Sequence, residues 1–234
     1  MSRSSAIGVS RVAARPRRSL PPPRRFRGAK IFGLSIFAAG LIVVSIVAVQ
    51  ILRGTIARER ARAEWAKLMQ SSSLNAVATL GMKRARSGAP VTRVVIPSIR
   101  LDEVVVEGLN DRELWAGPGH MPGTVFPGEN GNSVISAHRD RHFHRLDDVR
   151  VGDVIETQTL AMSVMWRVKE RQIVDKDAKV IFEAASPRLT LTTCWPTRYI
   201  GSAPDRLLII AEPISMRERT IGQPAAQPAA AAAQ

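Results

Sequence analysis

One cysteine, Cys194, lies in the stretch LTLTTCWPTRYIGSAPDR, Leu189 to Arg206, and the chain has no other. A thiolate is a potent nucleophile, but a free cysteine is also one of the commonest packing residues. Cys194 closes RLTLTTC, a run of strand formers, and WP follows at once. Pro196 biases Trp195 toward extended geometry and cannot donate to a ladder, so the thiol sits where the chain leaves a sheet. Such rims carry function more often than strand interiors do. His138 has the same placement, after the strand-like NSVISA and before the polar RDRHFHR. A cysteine and a histidine are the minimum for nucleophilic thiol chemistry, the imidazole holding the thiolate and moving the proton. Arg206 opens the run RLLIIAE. A guanidinium there could stabilise an oxyanion or hold a substrate carbonyl.

Each residue has a plainer reading. Cys194 could be a small apolar filler. Arg206 could be solvated or paired with Asp205, and Arg198 competes for its role. His138, His142 and His144 lie within seven residues, but a common zinc site would want a further ligand and only one cysteine exists. His120, in GPGHMPGT, reads as a loop histidine.

The elements that must position these residues are short and β-rich. TRVVIPSI, DEVVVEG, GNSVISA, GDVIETQTL, SVMWRVKER, AKVIFEA, RLTLTTC and RLLIIAE are rich in Val, Ile and Thr and are punctuated by Gly, Pro, Asn or Asp. That spacing predicts an all-β sandwich or barrel. NDRELWAGPGH and DRHFHRLDDVR read as short helices or loops, too short for the crossovers of a parallel α/β fold.

Charge and hydropathy divide the chain. Residues 1–30 carry nine basic residues and no acidic one, whereas residues 91–234 hold 17 basic and 18 acidic residues. A nucleic-acid-binding domain would itself be basic, so that partner is excluded. Ile31 to Leu52 is 22 residues without a charge, enough to span a bilayer. Five basic residues follow the span by Lys67. The excess before it puts the N-terminus in the cytoplasm and the rest of the chain outside, the span lying in the cytoplasmic membrane. An unpaired cysteine in an exported domain points to a reactive thiol or intermolecular pairing. Trp65, Leu68 and Met69 share one side of a helix-forming segment, 55–70. The layout is a basic arm (1–30), a membrane helix (31–52), a juxtamembrane helix and stalk (53–90), a catalytic domain (91–219) and a disordered low-complexity tail (220–234).

LTLTTC resembles the Thr-Leu-x-Thr-Cys signature of sortases, membrane-anchored transpeptidases of bacteria. GPGHMPGTVFPGENGNSVISAHRDRHFHRLDDVRVGDVI is similar to the segment that carries their histidine, particularly in the class D type. TTCWPTRYIGSAPDRLLIIAE is similar to the class D ending. The resemblance covers about residues 91–213 in consistent order. It implies a closed eight-stranded β-barrel with short helices, preceded by one transmembrane helix. It also implies Cys194 as nucleophile, His138 as acid/base and Arg206 as the oxyanion or substrate arginine, with Thr193 and Trp195 beside the substrate. The implied partners are proteins bearing an LPXTG-like sorting signal, an amine acceptor and the lipid bilayer. The chemistry calls for no metal or organic cofactor. Ala137 stands where glycine is common and Trp195 where tyrosine is usual. The rivals are an L,D-transpeptidase-like acyltransferase, whose Ser-His-Gly-Cys signature is replaced here by LTTC, and a non-catalytic surface module.

Overall fold

A computed structural model of the chain describes residues 27–70, 85–178, 183–199 and 201–219. Most of the basic arm, the greater part of the stalk, the core of AKVIFEA and the tail from 220 lie outside the described residues.

The first element, α1 (Arg27–Gln70), is a 44-residue helix that contains the apolar run. Its N-terminal part is long and apolar enough to cross a membrane. Every large apolar side chain from Ile31 to Leu52 is 44–70% exposed, a surface suited to lipid rather than water. Within it, the Ser35 hydroxyl donates to the Phe32 carbonyl at 2.8 Å, so that no hydroxyl proton is stranded in an apolar setting.

The remaining elements form a closed barrel. They are β1 (Pro90–Ile96), β2 (Leu101–Glu107), α2 (Asp111–Ala116), β3 (Gly119–His120), β4 (Asn132–Ser136), β5 (Val154–Gln158), β6 (Met162–Asp175), β7 (Arg188–Trp195) and β8 (Asp205–Glu218). The strand order is β1-β2-β3-β4-β7-β8-β6-β5, and β5 closes on β1. β2–β3 and β4–β7 are parallel, and the other pairings are antiparallel. Eight strands give an interior that side chains can fill. That interior holds Ile96, Val105, Ile135, Ile155, Leu191 and Ile209 around Trp166. The Trp166 indole donates to Thr157 Oγ1 at 2.8 Å, which satisfies its buried N–H.

The alternation of β2 is unusual because both of its faces are covered. Leu101 and Val105 belong to the barrel core, whereas Val104 and Val106 pack with Ala61 and Trp65 of α1. Residues 61, 65 and 69 recur at the four-residue spacing of one helix face. The helix end is thus docked on the barrel. Trp65 and Met69 do form the apolar side read from the sequence.

The short strand β3 was not foreseen. His120 stands on it rather than in a loop and is 1% exposed. Its Nδ1 lies 2.7 Å from Glu107 Oε2 and its Nε2 lies 3.0 Å from the Val125 carbonyl. Glycine is required next to it, because a Cβ at Gly119 would collide with the Gly108 carbonyl.

Candidate active site

The site is assembled by strand register. β4 runs parallel to β7, with Ser136 alongside Thr192. The pairing continues beyond the strand end: the Ala137 N–H donates to the Thr192 carbonyl at 3.2 Å. The Thr193 hydroxyl then donates to the Ala137 carbonyl at 2.7 Å. The next residues along the two chains are His138 and Cys194. On the other side of β7, Cys194 is the direct antiparallel partner of Arg206 on β8. Neighbouring strands lie about 5 Å apart, so the histidine and the arginine flank the cysteine.

The Cys194 and Arg206 side chains also share a face. Ile135, Ala137, Leu189, Leu191, Leu207 and Ile209 point into the barrel core. Cys194 and Arg206 fall on the alternate positions of β7 and β8 and therefore point out of the barrel, while His138 follows the core-facing Ala137 beyond the end of β4. All three are half-buried, at the rim where β4 and β7 end.

The backbone around His138 is fixed on both sides. Before it, Ala137 is tied to Thr193. After it, the Arg141 and Phe143 N–H groups both donate to the His138 carbonyl, at 3.3 and 3.2 Å. Phe143 is fully buried and anchors that turn in the core. The His138 imidazole has no hydrogen-bond partner among the described residues, so its nitrogens are available to a substrate or to the thiol.

The residues of the competing readings have hydrogen-bond or ionic partners of their own. Arg198 pairs with Asp148 at 3.2 Å, away from Cys194. Arg206 makes no ion pair with Asp205 among the described residues; its Nη1 donates to the Asp205 carbonyl oxygen at 3.2 Å. His142 turns toward Glu103, with 3.5 Å between Nδ1 and Oε1. The His144 Nδ1 donates to the Arg141 carbonyl at 2.7 Å. His142 and His144 thus serve different partners, neither of which is His138. Thr193 is buried and its hydroxyl is spent on Ala137. Trp195 is half-buried against the core, with the Arg171 guanidinium 5.5 Å from its ring centroid.

One contributor escaped the sequence reading. Arg139, next to His138, donates from Nη1 to the Pro196 carbonyl at 2.8 Å and from Nη2 to the Gly201 carbonyl. It also lies over the Tyr199 ring, 5.7 Å from the centroid. One guanidinium therefore joins the segment after the histidine to the loop after the cysteine. Its only advance signal was its position beside His138.

Residues 94–214 match the family model described as Sortase domain. The chain is 30% identical to Sortase D of Bacillus subtilis over 196 residues, which is 80% of this chain and 99% of that protein. The Sortase D5 transpeptidase of Clostridium perfringens has a similar structure. Its TM-score is 0.60 at 25% identity, over 68% of this chain and 99% of that one. The catalytic domain of Bacillus anthracis SrtD gives a TM-score of 0.50 at 28% identity, over 58% of this chain and 95% of that one.

Proposed function

Since the chain belongs to the sortase family, whose class D members it resembles, we propose that it is a membrane-anchored cysteine transpeptidase acting on C-terminal sorting signals. The observation that carries this reading is the register that pairs Cys194 with Arg206 and, through Ala137, brings the segment before His138 alongside β7.

The chemistry follows from those three groups. The Cys194 thiolate attacks the carbonyl carbon of the scissile peptide bond, and the Arg206 guanidinium donates to the oxyanion that forms. As the tetrahedral species collapses, the C–N bond breaks and His138 delivers its proton to the departing amine. A thioester between Cys194 and the substrate remains. An incoming amine loses its proton to His138, attacks the thioester carbon and releases the thiolate, so the proton count closes over the cycle. Thr193 acts through its hold on Ala137, as a positioning residue. Trp195 and the loop after it shape the substrate groove. The apolar part of α1 anchors the protein with its N-terminus in the cytoplasm and the barrel outside, facing sorting-signal proteins and amine acceptors.

The test is a screen of LPXTG-like peptides with hydroxylamine as acceptor. The wild-type protein should release a hydroxamate, and Cys194→Ala and His138→Ala should release none. Arg206→Lys keeps the charge but loses the planar fork, and kcat should fall by roughly 10²-fold. Equal turnover by Cys194→Ala would overturn the mechanism.

A further inference from the structure

A cavity of about 520 Å³ lies away from the reacting side chains, between the docked part of α1, the turn after β1, Trp115 of α2 and the segment that follows His138. Five arginines line it, against two carboxylates, Asp102 and Glu103. Both carboxylates are already engaged. Asp102 accepts two donors from Arg93, which is outside the cavity. Glu103 accepts Nε of Arg58 at 3.1 Å and also its Nη2, with Arg62 and His142 each 3.5 Å away. Arg145 is spent on Asp148 and the Ile99 carbonyl.

Two arginines are left without an acidic partner among the described residues. Arg141 is stacked 3.7 Å from the centroid of the Trp115 ring, and its Nη1 is buried without a hydrogen-bond partner. Burial holds its pKa below the ordinary arginine value; Asp140 opposes that fall and the nearby Arg58 charge adds to it. Arg100 is exposed and stands in the left-handed region with φ 54°, a conformation that a residue with a Cβ adopts only under constraint from its surroundings. His142 lines the same cavity with its side chain only 7% exposed, and its Nε2 has no partner among the described residues. The buried Arg141 Nη1, in positive surroundings and without an acceptor among the described residues, lacks an anion.

The position of the cavity along the chain says what kind of anion. Gly54 and Thr55 line it, directly after the apolar run that ends at Leu52. Helical rise puts Gly54 and Thr55 about 3 and 4.5 Å along the axis from Leu52. Each headgroup layer of a bilayer is about 6 Å deep. The lining residues of α1 therefore begin at headgroup level, which rests on the reading that residues 31–52 lie in a membrane. We propose that this cavity binds the phosphate of a membrane phospholipid, gripped by Arg141 and Arg100. The site is separate from the thiol chemistry, although its segment follows directly from His138.

The test uses the full chain in phosphate-free non-ionic detergent, read by native mass spectrometry with added phosphatidylglycerol, diacylglycerol or inorganic phosphate. One phosphatidylglycerol should be retained and diacylglycerol should not. Arg141→Gln and Arg100→Gln should each weaken retention about tenfold, the loss of one charge-assisted contact. Arg150→Gln, whose side chain does not line the cavity, should leave retention unchanged. Because Arg100 is exposed, its replacement tests the site even if Arg141→Gln disturbs folding. Retention unaffected by both substitutions would overturn the proposal. So would inorganic phosphate displacing the lipid at equal concentration, which would make the ligand a soluble phosphate. Carbonate extraction of native membranes tests the anchor separately: release of the chain there, with binding in detergent intact, would count against the membrane source and not against hydroxamate formation.

Discussion

The Thr193 hydroxyl leaves β7 one residue before the thiol and ends on the carbonyl one residue before the imidazole. With the Ala137 N–H bond to the Thr192 carbonyl, it ties the residue before His138 to β7. Thr193→Val keeps the shape and removes the donor, which should cost about 1 kcal/mol of stability. Chemical denaturation will read that loss, and kcat should fall with little change in KM. Thr193→Ser should restore both. Arg139 works at the same scale by a different route, because it spans two carbonyls in the loop after the cysteine. A lysine cannot fork across two acceptors in fixed geometry. Arg139→Lys should lower kcat/KM roughly tenfold, as expected for one lost charged hydrogen bond. Its thermal midpoint should move little, since the loop is exposed.

At the scale of elements, the docking of α1 on β2 brings charge into a half-covered place. Burial alone would raise the Glu103 carboxyl. Hydrogen bonds from His142 and Arg58, with their charges, more than reverse this and hold it below the usual glutamate range. A depressed carboxylate stabilises the folded form above its unfolded pKa and loses that contribution as pH falls through the folded value. Amide protection of residues 58–69 should therefore persist at neutral pH and decline below about pH 4.3. In Glu103→Gln, hydrogen exchange should show weaker protection at neutral pH and a flatter acid profile.

The same elements mark what could be read in advance. Runs such as RLLIIAE and RLTLTTC declare themselves as strands, because Val, Ile, Leu and Thr at tight spacing have few other uses. The rim positions of Cys194, His138 and Arg206 were legible for the same reason, since Pro196 and the polar run after His138 mark where strands stop. β3 was not legible, because two residues carry no alternation and its identity lies in its partners, Val106 and Ile135. Nor were the Arg139 clamp and the Glu103–Arg58 contact, whose partners lie 57 and 45 residues apart in the chain. Side-chain contacts at that range depend on the closed barrel and leave no local pattern.

For the whole molecule, the parallel pairing of β4 with β7 has a kinetic consequence. Antiparallel neighbours can form from a local hairpin, but parallel ones cannot. The two strands that carry His138 and Cys194 are linked by residues 56 apart, and contacts at long separation form slowly. A partly folded chain therefore has a thiol and an imidazole but no juxtaposition of the two. In refolding from denaturant, hydroxamate-forming activity should return no earlier than the near-ultraviolet signal of buried Trp166, and later than the far-ultraviolet strand signal. Under the proposed mechanism, a chain whose barrel has not closed cannot acylate its thiol, so neither that thiol nor the proteins around it enter the reaction prematurely.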